Sequence, residues 1–136
     1  MSYAMSSALQ AAVYGALVGD GTLQALVGNA VYDAVPSGAL PDLYVRLGSE
    51  TAQDASDGSG AGAVHLFTVS VITTSPGFTS AKQVAAAISD VLHDADLVLT
   101  RGRVVSMQFV RAKATRIDTV SARQIDLRFR ARVQDD

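Results

Sequence analysis

Cysteine is absent from the 136 residues. That excludes a disulfide framework, a thiolate metal site and a cysteine nucleophile. No apolar run approaches the ~18 residues a membrane-spanning helix needs. The mildly apolar N-terminus has no basic region ahead of it, so a secretory leader is not expected and the chain reads as soluble. Positive charge is nearly missing from the first half, since ten of the eleven Lys and Arg residues follow residue 80. The formal charge of −2 excludes a strongly basic nucleic-acid binder. The C-terminal third is therefore expected to present a basic surface. Glu50, Asp54 and Asp57 should give the middle of the chain an acidic one. Such asymmetry can orient subunits and partners as easily as it can bind phosphate.

The length suits a single domain spanning 1–136, able to bury a core without staples. In residues 2–18, Met5, Leu9 and Val13 recur at helical spacing among alanines, and Gly19-Asp20-Gly21 ends the helix. A shorter helix is expected over 22–27, with Thr22 as its N-cap and Gly28 as its stop. Ala30–Val35 reads as a short strand ended by Pro36. Leu43, Val45 and Leu47 alternate with Tyr44 and Arg46, a half-buried strand closed by Gly48. Residues 49–62 hold no apolar side chain larger than alanine. They cannot bury enough surface to offset their ordering entropy, so a mobile loop is expected there.

Ala63–Thr74 is β-branched and aromatic, a long covered strand. Thr79 or Ser80 then caps a helix running to about His93, with Val84, Ile88, Val91 and Leu92 as its buried stripe. Leu97–Leu99 starts a strand or its lead-in, and the strand continues over 104–111, pointing Val105, Met107 and Phe109 to one side. A hairpin connection follows at 118–121. The plainest pattern comes last: Ile125, Leu127, Phe129, Ala131 and Val133 alternate with Gln124, Asp126, Arg128, Arg130 and Arg132. The sum is an α+β fold, a mixed, mostly antiparallel sheet with helices packed on one face. An antiparallel sheet can keep its other face polar, and here that face carries the arginines.

Chemistry is thinly represented. Asp90, His93, Asp94 and Asp96 are the nearest approach to a metal or acid–base cluster, but a solvated helix end accounts for them, and zinc catalysis wants three ligands in a shaped cleft. His65 has no serine or cysteine nucleophile motif with it, so a satisfied structural histidine is expected. The glycines of 58–62 are followed by no Gly-Lys-Ser/Thr and open no helix, so they make no phosphate loop. Arg128, Arg130 and Arg132 have no interleaved aromatics for stacking nucleic-acid bases. A solvated sheet face or a contact between subunits suits them better than DNA.

Three stretches together resemble a known family. They are the N-terminal helix with its short follower ending at Gly28 before Val31-Tyr32; the run Pro41-Asp42-Leu43-Tyr44-Val45-Arg46-Leu47-Gly48; and His65 to Thr73 followed by Gly77 and the helix positions Ala81, Val84, Ile88, Val91 and Leu92. In this order they are similar to the tail terminator, or tail-completion, proteins of siphophages and phage-like gene transfer agents. Ile72 stands where many relatives carry tryptophan, and Asp42-Leu43 intervene between the proline and Tyr44.

The resemblance implies a structural virion protein that forms a ring, usually a hexamer, at the head-proximal end of a long non-contractile tail. The ring would stop tube polymerisation and join the tail to the head. The implied partners are further copies of itself, the tail tube protein and the head–tail connector or adaptor. DNA would pass through the lumen without sequence-specific binding, and no membrane, cofactor, metal or catalytic residue is implied. Arg128, Arg130 and Arg132 become candidates for subunit contacts or the lumen. Glu50, Asp54 and Asp57 become candidates for contact with a neighbouring ring. The runner-up is a head–tail adaptor or tube protein of the same particle. The third possibility is a small metal-dependent hydrolase resting on Asp90, His93 and Asp94.

Overall fold

A computed structural model describes residues 3–58 and 60–135. Its elements are α1 (Ser6–Val18), α2 (Gly21–Val27), β1 (Val31–Tyr32), β2 (Leu43–Asp54), β3 (Gly62–Thr73), α3 (Thr79–Leu92), β4 (Arg103–Ile117) and β5 (Ala122–Gln134), with a 3-10 turn over Asp118–Val120. The sheet order is β1-β2-β3-β5-β4. Among the described residues the short β1–β2 pair alone is parallel, and the other pairings are antiparallel. This is the mixed, mostly antiparallel α+β architecture that the patterning predicts.

One face of the sheet carries the core. Val45, Phe67, Val69, Val71, Met107 and the β5 residues Ile125, Leu127, Phe129, Ala131 and Val133 pack with Met5, Leu9, Val13 and Leu17 of the N-terminal segment, Leu23 of α2 and Val84, Ile88 and Leu92 of α3. Small α3 residues, Ala81, Ala85 and Ala87, are buried against the same core. Phe129 sits at its centre, stacked on Phe67 at 5.6 Å and edge-on to Phe109 at 5.8 Å. Ring pairs at these separations add to the burial energy.

Local expectations fail where tertiary pairing overrides propensity. The stretch 49–62, expected as one long loop, is strand as far as Asp54, and β3 begins again at Gly62. Glu50–Asp54 pairs residue by residue with Phe67–Ala63. The backbone groups of that stretch that face β3 are hydrogen-bonded whatever its side chains, which is why a polar sequence extends the sheet. Gly48 does not close β2. It sits in a register irregularity between Leu47 and Glu50, where an added Cβ would lie 3.3 Å from the Thr68 carbonyl oxygen.

Smaller differences have local causes. Strand β1 is two residues, not Ala30–Val35, and the chain turns away through Pro36 and Gly38, which has φ +96°. Asp20, not Thr22, caps α2, accepting a hydrogen bond from the Leu23 N–H at 3.0 Å. Helix α3 opens after Phe78 with no side-chain cap from Thr79 or Ser80. Leu97–Leu99 is irregular rather than strand. In β4 a bulge at Val105 breaks the expected Val105–Met107–Phe109 alternation: Met107 is buried while Val105 is exposed. At Gly102, with φ +74°, a Cβ would lie 2.6 Å from the Met5 sulfur and 2.7 Å from the Gln134 carbonyl oxygen, so the turn into β4 requires glycine.

Candidate functional site

Alternation along β5 turns Arg128, Arg130 and Arg132 away from the core, as the sequence pattern requires. The register gives them neighbours that sequence could not supply. Because β5 lies between β3 and β4, the ladder runs down the middle of the outer sheet face. Arg128 stands between Thr68 and Arg111, Arg130 between Leu66 and Gln108, and Arg132 between Val64 and Ser106. Leu66 and Val64 are half-buried, apolar surface of the kind arginine stems cover.

Beside the ladder an open groove of about 690 Å³ is lined by Arg46, Arg111, Lys113, Arg128, Ser70 and Asp126. Asp126, the acid in this group, accepts hydrogen bonds from Ser70 Oγ at 2.6 Å and Gln124 Nε2 at 2.7 Å. Arg111 and Arg128 are directly opposed across β4 and β5. Like charges so placed are destabilising in an isolated sheet. Such a face is relieved by an anionic neighbour.

The three arginines are not equivalent. The Arg132 guanidinium donates to the Ala55 carbonyl oxygen at 3.4 Å and lies 4.0 Å from Asp57. It ties β5 to the β2–β3 connection. Arg128 and Arg130 pair with no carboxylate among the described residues.

The three acids are likewise split. Asp54 and Asp57 lie at the tip of the β2–β3 hairpin. The Ser56 hydroxyl donates to Asp54 at 2.7 Å and holds that carboxyl below its ordinary range. Asp57 and Gly60 bridge the tip backbone. Glu50 is elsewhere. It sits on the core side of β2, half-buried, accepting Tyr3 Oη at 2.6 Å and Ser6 Oγ at 2.9 Å, with His65 Nδ1 3.3 Å from its other oxygen. His65 is fully buried, and its two ring nitrogens make no hydrogen bond of good geometry. The expectation of a hydrogen-bond-satisfied histidine is therefore corrected: a carboxylate at ion-pair range is what stands beside it.

Sequence reading missed this cluster because Glu50 lay in a presumed loop. Even with 49–54 read as strand, alternation from Leu43, Val45 and Leu47 would have put Glu50 on the outer face; the register irregularity between Leu47 and Glu50 turns it to the side of His65. Glu50→Ala should cost about 1–3 kcal/mol, the penalty for stranding buried polar partners. Urea unfolding monitored by circular dichroism measures it, and an unchanged midpoint would show the cluster to be idle.

Asp90, His93 and Asp94 do not converge as ligands. His93 Nδ1 accepts the Phe109 backbone N–H at 3.1 Å, and the Asp94 N–H donates to the Met107 carbonyl oxygen at 2.8 Å. Asp94 adopts φ +57° to do so. The loop after α3 thus covers the β4 edge at 107–109, with an imidazole standing in for a strand carbonyl. Among the described residues no group of three or more His, Asp or Glu side chains could hold a metal ion.

A family model described as tail completion protein gp17 matches residues 11–134. A chain in the solved structure "Virion of native gene transfer agent (GTA) particle" is 60% identical, with a TM-score of 0.92, covering 98% of this chain and 99% of that one. No curated protein matches.

Proposed function

The chain belongs to the tail completion protein gp17 family, and from that premise we propose that it forms a ring, a hexamer in this reading, at the head-proximal end of a long tail. It is a structural protein of a virion tail. The ring stops tube polymerisation and joins the tail to the head connector, with DNA passing through the lumen without sequence-specific contacts. The action is steric and interfacial rather than catalytic. One ring face matches the last ring of tube protein, and the other accepts the connector but no further tube subunit.

The observation that carries this reading is the 60% identity, over essentially the whole of both chains, to a component of a native gene transfer agent virion. The charge distribution supports it. The outer sheet face gathers Arg46, Arg111, Lys113, Arg128, Arg130 and Arg132 around Asp126, while Asp20, Asp33, Asp90, Asp94 and Asp96 lie on the helical side or the loops beside it. A chain so divided favours head-to-tail association of unlike surfaces, the kind that closes into rings. In this reading Arg128, Arg130 and Arg132 lie at subunit contacts or toward the lumen. Asp54 and Asp57 at the hairpin tip meet the neighbouring ring; Glu50, turned inward, does not.

Electron microscopy of the purified protein should reveal closed rings. Added to polymerising tube protein, it should hold tubes at a fixed length. Unlimited tube growth, or co-polymerisation of this chain along the tube, would assign it to the tube or adaptor instead.

A further inference from the structure

Each edge of the sheet is covered over a short stretch and, among the described residues, open over a longer one. On β2, the parallel strand β1 pairs only with Val45 and Arg46. Among the described residues, no backbone group pairs with the outer side of residues 47–53. On β4, the His93–Asp94 loop covers 107–109, and nothing described covers 111–117. Thr51, Ala52 and Gln53 on one edge, and Arg111, Ala112, Lys113 and Ala114 on the other, are exposed. Unpaired edges of this length template pairing with another chain unless they are blocked.

We infer that the open half of β4 pairs, antiparallel, with the open half of β2 in a second copy of this chain. The inference rests on the ring reading and supplies the contact that builds it. Three properties select this pairing. First, charge: the β4 half carries Arg111, Lys113 and Arg116 and no acid, so two β4 edges repel each other. The β2 half carries no cation, its one acid, Glu50, is turned to the core side, and Asp54 stands beyond it. Second, polarity: β2, β3, β5 and β4 are successively antiparallel. The β4 strand of one copy therefore runs opposite to β2 of a neighbour placed in the same orientation.

Third, stagger. Ala114 is level with Val45 through Ile125 and Val71. The open half of β2 is centred on Glu50, level with Phe67 and so four ladder positions further along, roughly 14 Å at the rise of an antiparallel strand. The four long strands of each copy span about 19 Å at ordinary interstrand spacing. Successive copies offset in that ratio tilt their strands about 36° from the ring axis, at the lower end of the range of about 35–45° that closed sheets adopt. The two half-covered edges are thus offset as a closed, tilted sheet requires. The β1 segment and the His93 loop block the in-register pairing that would give a flat, open ribbon.

The native absence of cysteine makes the test clean. Ala52 shares the core-side face with Ala112 and Ala114, and within one chain β2 and β4 are separated by β3 and β5. Cysteines at 52 and 114, or at 52 and 112, can therefore bridge only between copies, given the Cα separation of about 4.4–6.8 Å a disulfide demands. Oxidising Ala52→Cys/Ala114→Cys and Ala52→Cys/Ala112→Cys proteins should yield covalent multimers up to the ring's full size from at least one pair. Each single variant should stay monomeric on a non-reducing gel. In unmodified rings, amide exchange at 47–53 and 111–117 should slow at least tenfold relative to dilute monomer. Rings that form while neither pair cross-links and neither segment gains protection would overturn the edge contact and leave the ring intact. Cross-linked multimers that stay open and never close would keep the contact and overturn the ring.

Discussion

Reversing charge at the ladder, with Arg128→Glu, Arg130→Glu and Arg132→Glu combined, is expected to abolish ring formation or head-to-tail joining while leaving a folded domain. All three side chains stand on the outer face, so their replacement removes nothing from the core. Glutamate at 128 would face Arg111 instead of opposing it, turning a like-charge pair into an attractive one. Surface changes of this kind ordinarily alter stability by about 0.5 kcal/mol or less. Arg132 is the exception, since glutamate there loses the Ala55 carbonyl and approaches Asp57.

A double variant at 128 and 130 keeps that tie and isolates the effect of the exposed face. Circular dichroism should match the parent for both variants. Electron microscopy should find no rings, or particle yield should fall below detection. A triple variant that assembles normally would remove the outer face from the interface.

The second large effect is on stability. Phe129→Ala should cost about 3–5 kcal/mol, the range for emptying a buried aromatic site. Phe129 is fully buried on the central strand and touches rings from both flanking strands, Phe67 on β3 and Phe109 on β4. Neither neighbour can follow it inward without breaking its own backbone pairing with β5, so the cavity cannot collapse fully. Denaturant unfolding of the variant should show a midpoint far below the parent. Phe129→Leu should recover much of the difference, and a small loss in the alanine variant would mean the core repacks freely. Such a loss matters for assembly, because the sheet that carries the arginines is held against the helices by this core.

The alternation of β5 decided its own structure. Five apolar residues at period two can bury one face only as a strand, and the arginines between them then have one place to go. The α3 stripe and the apolar runs of β3 are legible for the same reason, since burial of a periodic face dominates local energetics. Residues 49–54 show the limit. Ser49, Thr51, Ala52 and Gln53 give no burial signal, and they are strand because β3 offers them a hydrogen-bonding partner. Pairing of that kind is a property of the neighbour, invisible in the segment itself.

Glu50 and His65 show the same dependence. Nothing local joins residues fifteen positions apart, and the hairpin register alone brings them together beneath Tyr3 and Ser6. The role of His93 was hidden likewise, because covering an edge requires knowing which strand is the edge. Residue order by itself determined which faces are apolar and which are charged. Strand order, register and open edges were settled only in three dimensions, because hydrogen bonds between strands are blind to side-chain identity and answer to whichever backbone the packed core brings alongside.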